Sequence, residues 1–599
     1  MDNTNQISNL KSQISKMLEN SVKELVNVDI EAQVVVSSDL SKGDLTTNIA
    51  MATFRNAKSQ MSNIKLPMEF AEKIAENLKL DIGNLKFLDR VEVKAPGFIN
   101  FWLSQPQIIK QVDRVLDEPK DVDLATNSSL IFEFGDPNPF KEPHIGHVRN
   151  FTLGEAICRL NEANGVKVLR ASYQGDVGMH VAKAIWGILQ ISNLKSQISN
   201  LDEKTLEDKA KFLGKAYAFG SKAYEEDNAA KEQIILINKK IYSAVAKAST
   251  DAKALADRST DKQNDTQIYS LWQTGRKWSL DHFENLYEKL GIKYEKYYFE
   301  SQTAPVGREI VEKYVPGVFE TDAGAIVFRG EEFGLHTRVF VNSEGHATYE
   351  AKDLALAVMK DKDFPDANRS IIMTANEQVD YFKVLLSALK LVNPKIADKT
   401  SHLSFGFVNL KEGKMSSRKG NVVTAGWLFE ETKNRLKKGF KEVSDDVLEQ
   451  VSVGAVKWSM LKFSRESNIS FSIEESVQIE GNSGPYIQYA YARTQSLLGK
   501  ASKTHSEAKL HENLDQDLLA LARLICQFET VINDAAENFS PNILSNYLFE
   551  LAQNFNLFYE KKKIIGAEDE EQKLLMTKAV GKVLEKGLYL LGIQAPKKI

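Results

Sequence analysis

One segment constrains the fold of this chain more than any other. An apolar run at residues 131–134 is followed by a helical pattern that begins at His144 and ends near Gly165, and a second predicted strand occupies residues 167–173. A strand, a helix and a second strand in this order form a βαβ unit with parallel strands. We therefore predict a doubly wound, Rossmann-type α/β domain, which binds its ligands at the carboxyl ends of the strands.

Residues 144–147 read His-Ile-Gly-His and stand at the predicted start of that helix. A helix N-terminus offers unpaired N–H groups and the positive end of the helix dipole, so it attracts anions. Gly146 would let a bulky ligand approach the backbone, while His144 and His147 can donate hydrogen bonds to phosphate oxygens. The alternative is a helix start that is capped by histidines and holds no ligand.

Far along the chain, residues 414–421 read Lys-Met-Ser-Ser-Arg-Lys-Gly-Asn. Three cationic side chains and two hydroxyls suit a polyphosphate whose charge shifts during a reaction, although a solvent-exposed loop of this composition is also ordinary. The order of the two segments and the strand–loop–helix setting of the first favour phosphate binding. Together they resemble the two nucleotide-binding signatures of class I aminoacyl-tRNA synthetases.

Composition narrows the classes of protein that remain. A length of 599 residues predicts several domains, and 43% hydrophobic with 26% charged residues is ordinary for a globular protein. No apolar run reaches the length of a membrane span and residues 1–5 lack a signal-peptide pattern, so we expect a cytoplasmic protein without a membrane partner. Cys158 and Cys526 are predicted to be buried free thiols. The net charge of −4 leaves RNA binding open, because that depends on local basic patches.

The pattern of helices and strands predicts three domains. They are a small α+β domain at residues 1–115, the Rossmann-type domain at 120–440 with a helical insertion at about 185–290, and an all-α helical bundle at 441–599. Further strands of the parallel sheet are predicted at residues 325–328, 337–341 and 370–374. No strand is predicted beyond residue 440.

A decapeptide, Gln-Ile-Ser-Asn-Leu-Lys-Ser-Gln-Ile-Ser, occurs identically at residues 6–15 and 190–199. The two copies are not tandem, so they do not indicate a repeat architecture. We interpret both as surface-helix insertions without a defined function.

Polar side chains near the predicted strand ends suggest a second ligand. Glu133 is a carboxylate in an apolar strand, so it needs either a ligand or an internal salt bridge, and both possibilities stay open. Tyr349 and Asp353 share one helix face, and Gln378 opens a later helix. With Asn138 they would form a pocket of two carboxylates, a phenol and two amides. Such a pocket suits a guanidinium, whereas lysine would leave acceptors unpaired.

These residues make the resemblance specific, because the chain is similar to the arginyl-tRNA synthetases. In that family a Glu-Phe-x-x-Pro-Asn motif precedes the histidine signature, and residues 133–138 match it. A Tyr-x-x-x-Asp pair and a downstream glutamine match Tyr349, Asp353 and Gln378. The resemblance implies that Glu133, Asn138, Tyr349, Asp353 and Gln378 hold L-arginine.

Two further segments extend the resemblance over nearly the whole chain. Residues 97–101 resemble the family's N-terminal domain, which touches the tRNA elbow, and residues 484–493 resemble the start of its helical anticodon-binding domain. The implied tRNA-binding residues are Asn100, Trp102, Tyr486, Tyr489 and Arg493. Aromatic residues at helical spacing are also typical of a protein core, so that alternative stays open for this set.

The resemblance also implies an activity. Such an enzyme uses ATP to attach L-arginine to tRNA(Arg) through an arginyl-adenylate, and it releases pyrophosphate and AMP. ATP would bring Mg²⁺, for which no protein site is predicted. The implied catalytic residues are His144, His147, Lys141 and Lys414. The implied ATP-binding residues are Pro139, Gly146, Met415, Ser416, Ser417 and Arg418.

One residue departs from the commonest form of the family's lysine signature. Ser417 stands where a second lysine is usual, but Lys141 lies three residues before the first histidine, where some arginyl enzymes carry a lysine. We therefore expect Lys141 and Lys414 to share the phosphates.

Two other functions remain open at this point. A class I synthetase for another amino acid would keep both signatures but alter the carboxylate pair of Glu133 and Asp353. A non-catalytic RNA-binding descendant should have lost signature residues. No feature demands a dimer, so we expect a monomer.

Overall fold

The computed structural model describes residues 7–37, 39–82, 86–117, 128–190, 203–250, 260–411, 423–440, 442–501, 509–511 and 513–599. The lysine signature lies outside the described residues, with Lys414, Met415, Ser416, Ser417 and Arg418, as do residues 191–199 of the second decapeptide. The chain forms two compact units. One joins residues 1–123 to 479–590 and 594–599, and the other comprises residues 124–478 and 591–593.

The N-terminal part of the first unit is a four-stranded antiparallel sheet with helices. Its elements are α1 (Ile7–Val26), β1 (Val35–Val36), β2 (Leu45–Thr47), α2 (Ile49–Gln60), α3 (Pro67–Ile82), β3 (Leu88–Lys94), β4 (Phe98–Leu103) and α4 (Gln105–Leu116). The strand order is β1-β2-β4-β3. Ile7, Leu10 and Ile14 lie on one face of α1 and are buried. The interpretation of the first decapeptide copy as a surface insertion is therefore wrong, because its apolar residues form core.

The second unit opens with the predicted βαβ segment. β5 (Ser129–Glu133), α5 (Ile145–Ala163) and β6 (Lys167–Gln174) follow one another, and β5 pairs with β6 in parallel. Gly154 of α5 faces Phe134 at the end of β5, and a Cβ there would lie 2.2 Å from the ring. This close packing holds the middle of α5 against the residue that follows β5.

The predicted insertion is a bundle of helices wherever the structure describes it. Its helices are α6 (Met179–Gln190), α7 (Leu206–Glu226), α8 (Asn228–Thr250) and α9 (Thr260–Leu290). Their apolar faces form one core, and Phe140 from the loop after β5 is part of it. The chain then returns to the sheet at β7 (Lys296–Phe299), which pairs with β6 in parallel.

A separate antiparallel sheet follows α10 (Glu300–Lys313). It consists of β8 (Glu320–Asp322), β9 (Ala325–Phe328) and β10 (Arg338–Val341). The predicted strands at 325–328 and 337–341 exist, but their assignment to the parallel sheet is wrong. Only Ala323 and Gly324, both with positive φ, connect β8 to β9. A two-residue connection permits only an antiparallel pair, since parallel strands need a long crossover.

The parallel sheet is completed by later elements. These are α11 (Tyr349–Asp363), β11 (Arg369–Ala375), α12 (Val379–Val392), α13 (Pro394–Lys399) and β12 (Thr400–Phe405). The strand order is β12-β11-β5-β6-β7, and each neighbouring pair is parallel. From β5 the chain adds β6 and β7 on one side, and it then adds β11 and β12 on the other side of β5. The strand order therefore changes direction between β5 and β11, as in a doubly wound fold.

The second unit ends with β13 (Val408–Leu410), α14 (Ala425–Gly439), α15 (Asp445–Leu461), β14 (Ile469–Phe471) and the short helix α16 (Ile473–Ser476). β13 and β14 pair in parallel. The prediction of no strand beyond residue 440 is therefore wrong, because three residues are too few to show an alternating pattern.

Helices form the C-terminal part of the first unit. They are α17 (Gly484–Lys500), α18 (Gln516–Cys526), α19 (Phe528–Glu537), α20 (Pro541–Lys561) and α21 (Glu570–Leu590). α18 and α19 meet at Gln527, which is the C-cap residue of the first helix and the N-cap residue of the second. The predicted fold class is confirmed, with a doubly wound parallel sheet, a small α+β N-terminal part and an all-α C-terminal part. Cys158 and Cys526 are buried free thiols, as predicted.

Candidate active site

The two histidines of residues 144–147 cap helix α5 through their ring nitrogens. His144 is the N-cap residue, and its Nδ1 accepts a hydrogen bond of 3.1 Å from the Gly146 backbone N–H. The Nδ1 of His147 accepts a bond of 3.1 Å from the His144 backbone N–H. The predicted capping role is therefore present, and the N–H of Gly146 is used within the cap.

The cap also determines what the rings can do for a ligand. Burial lowers the pKa of His144, and burial with the neighbouring His144 ring lowers the pKa of His147 to about 3. Both rings are therefore neutral near pH 7. Because each Nδ1 accepts a hydrogen bond, each ring carries its proton on Nε2. The pair thus presents neutral N–H donors rather than charges, and capping is compatible with phosphate binding.

A cavity of about 960 Å³, here called the histidine cavity, opens beside this helix start. Its lining is Pro137, Asn138, Lys141, Glu142, Pro143, His144, His147, Gly214, Lys215, Tyr217, Ala218, Ser221, Val423, Thr424 and Trp427. Pro139 and Gly146, both predicted to contact ATP, are not among these residues. Lys141 is, and its ammonium lies 4.8 Å from the centre of the Tyr217 ring.

The chain that follows the lysine signature is attached to the same helix start. The Ile145 N–H donates to the Val423 carbonyl at 3.0 Å, and the Ala425 N–H donates to the Pro143 carbonyl at 2.8 Å. Val423 lies two residues after the last residue of the signature in sequence. The histidine cavity is therefore lined by the first described residue after that signature.

The same unit contains a group of acidic side chains, here called the carboxylate cluster. Glu133, Asp176 and Glu300 are buried, and Asp136 and Asp353 are half-buried. Three of them have cationic partners: Glu133 pairs with Lys360 at 2.6 Å, Glu300 with Lys352 at 2.6 Å, and Asp176 with Arg276 at 2.9 Å. Of the two possibilities for Glu133, a ligand or an internal salt bridge, the structure contains the salt bridge.

Asp136 and Asp353 differ from the other members of the cluster. Among the described residues, neither has a lysine, arginine or histidine nitrogen within 4.0 Å. Asp136 accepts a hydrogen bond of 2.6 Å from the Tyr173 backbone, and Asp353 accepts one of 2.5 Å from the Tyr381 hydroxyl. Burial raises the pKa of Asp136 well above its usual value, and burial raises that of Asp353 to about 7. The cluster is therefore short of positive charge.

The other predicted arginine contacts lie at different distances from this cluster. Asn138 accepts a bond of 3.1 Å from the Gly175 N–H, and a Cβ on Gly175 would lie 3.1 Å from Glu300 Oε1. Tyr349 is 63% exposed, with its ring 5.0 Å from the Lys352 ammonium. Gln378 is half-buried at the end of a 3₁₀ turn, Asn376–Gln378. Asn138 and Tyr349 thus adjoin the cluster through Glu300 and Lys352.

Several members of this site were missed by the sequence argument. They are Asp136, Asp176, Glu300, Lys352, Lys360 and Tyr381. One signal was present for Lys360, which follows Asp353 by seven residues and therefore shares its helix face. On that basis, an ion pair between Glu133 of β5 and Lys360 of α11 could have been predicted.

The predicted tRNA contacts divide into buried and exposed residues. Asn100 is buried and accepts a bond of 2.6 Å from Thr46, and Trp102 is 2% exposed with Arg90 stacked 4.4 Å away. Neither offers a surface to RNA, so both are corrected to core residues of the N-terminal sheet. Tyr486 packs edge-on against Phe549.

The other two predicted tRNA contacts, Tyr489 and Arg493, form an exposed stack with Tyr559, which was not predicted. The Arg493 guanidinium lies 5.1 Å from the Tyr489 ring and 4.6 Å from the Tyr559 ring, and it donates to Asn556 at 2.6 Å. Tyr489 and Tyr559 are 36% and 39% exposed. Aromatic faces beside a cation are suited to stacking on unpaired bases.

Two further features of the described residues concern metal-binding groups and membrane-spanning helices. Within the described ranges, no group of three or more histidine, cysteine, aspartate or glutamate side chains is placed to hold a metal ion. In the same part of the chain, no helix is both long and apolar enough to cross a membrane.

Three family profiles match the chain. The profile described as "tRNA synthetases class I (R), catalytic domain" matches residues 111–473, which is more than half of the sequence. "Arginyl tRNA synthetase N terminal domain" matches residues 8–103, and "DALR anticodon binding domain" matches residues 487–599.

Individual relatives agree with these profiles. The arginine–tRNA ligase of Flavobacterium psychrophilum is 30% identical over 585 residues, which cover 93% of this chain and 94% of that protein. The arginine–tRNA ligase of Phocaeicola vulgatus is 28% identical, with 99% and 100% covered. Among solved structures, the arginyl-tRNA synthetase of Thermus thermophilus superposes with a TM-score of 0.74 at 23% identity, over 98% of this chain and 100% of that one. That similarity in shape shows the fold.

Proposed function

The chain belongs to the arginyl-tRNA synthetase family, and from this membership we propose that it uses ATP to attach L-arginine to tRNA(Arg). The carboxylate cluster carries the proposal, because Asp136 and Asp353 are half-buried and have no cationic partner within 4.0 Å among the described residues. A guanidinium is permanently charged and has five N–H donors, so it would supply both the missing charge and hydrogen bonds. A neutral amino acid would leave the acids uncompensated.

Within this proposal, Glu133, Asn138, Tyr349, Asp353 and Gln378 recognise arginine. Asp353 would contact the substrate cation directly. Glu133 already pairs with Lys360, so its contribution is to hold that lysine in place and to keep the cluster negative. Asn138 would act at the end of β6, and Tyr349 at the exposed edge of the pocket.

The first step activates arginine. An oxygen of its α-carboxylate attacks the α-phosphorus of ATP and forms a new P–O bond. The bond from that phosphorus to the bridging oxygen breaks, and pyrophosphate leaves with the electron pair. No side chain of the enzyme forms a covalent bond, so catalysis consists of positioning and of stabilising charge on the phosphates.

The histidine cavity would hold the phosphates during this step. His144 and His147 donate from Nε2, and Lys141 with Lys414 supplies positive charge. Pro139, Gly146, Met415, Ser416, Ser417 and Arg418 complete the proposed ATP site. Since Pro139 and Gly146 do not line the cavity, they would act by stiffening the loop and completing the helix cap. Mg²⁺ carried by ATP would supply further neutralisation.

The second step transfers the arginyl group to a ribose hydroxyl at the 3′ end of the tRNA, and AMP leaves. The exposed stack of Tyr489, Arg493 and Tyr559 supports anticodon recognition by base stacking. Tyr486 would support that stack from within. We expect a cytoplasmic monomer.

Neither alternative function is favoured. Specificity for a different amino acid does not agree with the family of the chain or with the acidity of the cluster. A non-catalytic descendant should have lost the signature histidines, which here keep their proton on Nε2.

The direct test is ATP–pyrophosphate exchange with each of the twenty amino acids, run with and without tRNA. We expect exchange with arginine alone. Exchange with a different amino acid would overturn the specificity, and no exchange by well-folded protein under either condition would favour the non-catalytic alternative.

A further inference from the structure

Helix α7 of the insertion forms one wall of the histidine cavity, through Gly214, Lys215, Tyr217, Ala218 and Ser221. We propose that Tyr217 is a positioning residue, whose ring holds the Lys141 ammonium where the phosphates of ATP bind. This inference rests on the proposed function. It gives the insertion a part in the chemistry of the nucleotide site.

The backbone of Lys141 is already anchored in the insertion. Its neighbour Phe140 adopts a positive φ of 67°, and its ring is fully buried in the core of the insertion helices. The Phe140 N–H donates to Ser279 Oγ at 2.9 Å, and a Cβ on Gly275 would lie 2.3 Å from the Phe140 ring. The loop that carries Lys141 is therefore held by α9.

The side chain of Lys141 is directed by a ring and not by an acid. Among the described residues, no carboxylate oxygen lies within 4.0 Å of its ammonium, whereas the Tyr217 ring centre lies 4.8 Å away. A lysine side chain loses conformational entropy when it is fixed. A cation–π contact offsets part of that cost without neutralising the charge, so the ammonium stays available to phosphate.

The position of Tyr217 is fixed by the close approach of two helices. α7 crosses α6 at two glycines, since a Cβ on Gly187 would lie 2.2 Å from the Ala216 carbonyl oxygen and one on Gly220 would lie 2.0 Å from that of Lys183. Tyr217 lies between these two contacts in sequence. Its ring is thus carried by a rigid part of the insertion.

The same helix offers a matched control. Tyr224 lies seven residues after Tyr217 and also contacts lysine ammonium groups, 4.2 Å from Lys183 and 5.4 Å from Lys231. Both tyrosines are partly buried against the same core. Tyr224 does not line the histidine cavity.

The experiment measures arginine-dependent ATP–pyrophosphate exchange, in the presence of tRNA, for five variants of the full chain. We expect Tyr217→Leu to lower kcat/KM for ATP about fivefold, the size of a typical cation–π contact, and to leave KM for arginine unchanged. Tyr217→Phe keeps the ring and should retain native values, as should Tyr224→Leu. In a Lys141→Met background, adding Tyr217→Leu should cause no further loss, because the group that the ring positions is absent.

Three results would overturn the inference. They are native kinetics for Tyr217→Leu, a fivefold loss that persists in the Lys141→Met background, or an equal loss for Tyr224→Leu. If the native chain exchanges no pyrophosphate with arginine, the proposed function itself fails and this inference fails with it. If the native chain is active and only the Tyr217 variants behave otherwise than expected, the inference alone fails.

Discussion

Asp353 is half-buried, and among the described residues its carboxyl group has no cationic partner within 4.0 Å. Burial raises its pKa to about 7, the Tyr381 hydroxyl opposes that shift by donating a hydrogen bond, and the nearby Glu133 adds to it. Near neutral pH the side chain is therefore shared between its acid and carboxylate forms. A bound cation would favour the carboxylate, so arginine binding and proton release are linked.

The pKa of Asp353 should make kcat/KM for arginine depend on pH. Only the carboxylate form of Asp353 attracts a guanidinium, so kcat/KM for arginine should rise by up to tenfold per pH unit below about pH 7 and level off above it. Among the other charged groups that act on Asp353, Glu133 and Glu300 raise its pKa and Lys360 lowers it, and the carboxyl group of Asp136 interacts with it as well. Steady-state exchange between pH 5.5 and 8.5 measures this. A profile that is flat across this range, with the protein folded throughout, would contradict it.

The negative charge of Asp353 should also lower the free energy of unfolding of the native protein. Its folded pKa of about 7 lies above the unfolded value of about 3.9, so ionisation opposes folding, and stability is lost as pH rises between these values. Asp353→Asn should therefore gain up to about 4 kcal/mol of unfolding free energy at pH 8 and less at pH 5, while KM for arginine rises by at least about a hundredfold. Urea unfolding at the two pH values, with exchange kinetics, measures both. A variant that is less stable than the native protein at pH 8 would contradict the account.

At the scale of elements, the packing of α6 on α7 decides where the insertion meets the active site. Gly220→Ala would place a methyl group 2.0 Å from the Lys183 carbonyl oxygen, which backbone cannot avoid without moving. We expect a loss of about 3 kcal/mol in unfolding free energy, together with a lower kcat/KM for ATP, because α7 carries Tyr217.

Gly499→Ala serves as the control for that variant. Gly499 lies in the last turn of α17, and no neighbouring atom of the described residues would lie within 4 Å of a new Cβ there. This change should be neutral or stabilising by up to about 1 kcal/mol. If chemical denaturation shows equal losses for the two variants, the contact between α6 and α7 does not hold the insertion in place.

The elements also show what the sequence can and cannot predict. The βαβ segment was predictable because apolar periodicity and a histidine cap mark both of its boundaries within a few residues. The sheet membership of β9 was not, since it depends on a two-residue turn at Ala323 and Gly324 rather than on the strand itself. β13 and β14 are too short to show a pattern.

The residues of the candidate active site also divide into those that the sequence can predict and those that it cannot. His144, Lys141 and Asn138 were predictable because a motif brings them together in one loop. Glu300 and Lys352 were not, because they are 52 residues apart and only the fold joins them. The burial of Asn100 and Trp102 also depends on the sheet, since a strand of apolar residues does not reveal which face is covered.

At the scale of the whole molecule, the first and last segments of the chain belong to one compact unit. Cys526 of α18 lies 3.5 Å from the Ile108 carbonyl oxygen of α4, Lys582 of α21 donates to the Leu116 carbonyl at 2.8 Å, and Arg523 lies 3.4 Å from Asp44. These contacts join segments more than 400 residues apart in sequence. The unit therefore cannot assemble before the C-terminal helices are synthesised.

Native-state hydrogen exchange can test this. Ile108 is 1% exposed, and Ile108→Ala should lower the opening free energies of α4 and α18 by the same amount, about 2–4 kcal/mol. Amides of α5, in the other compact unit, serve as the internal reference. A loss confined to α4 would show that the two segments open independently.

We propose that acids without a cationic partner among the described residues make this protein specific for a guanidinium. The most direct measurement compares arginine with citrulline in ATP–pyrophosphate exchange with tRNA present, because citrulline has the same skeleton and a neutral ureido group. We expect kcat/KM for citrulline to be lower by at least about a thousandfold, since the acids would remain uncompensated. Activities within tenfold of each other would contradict it.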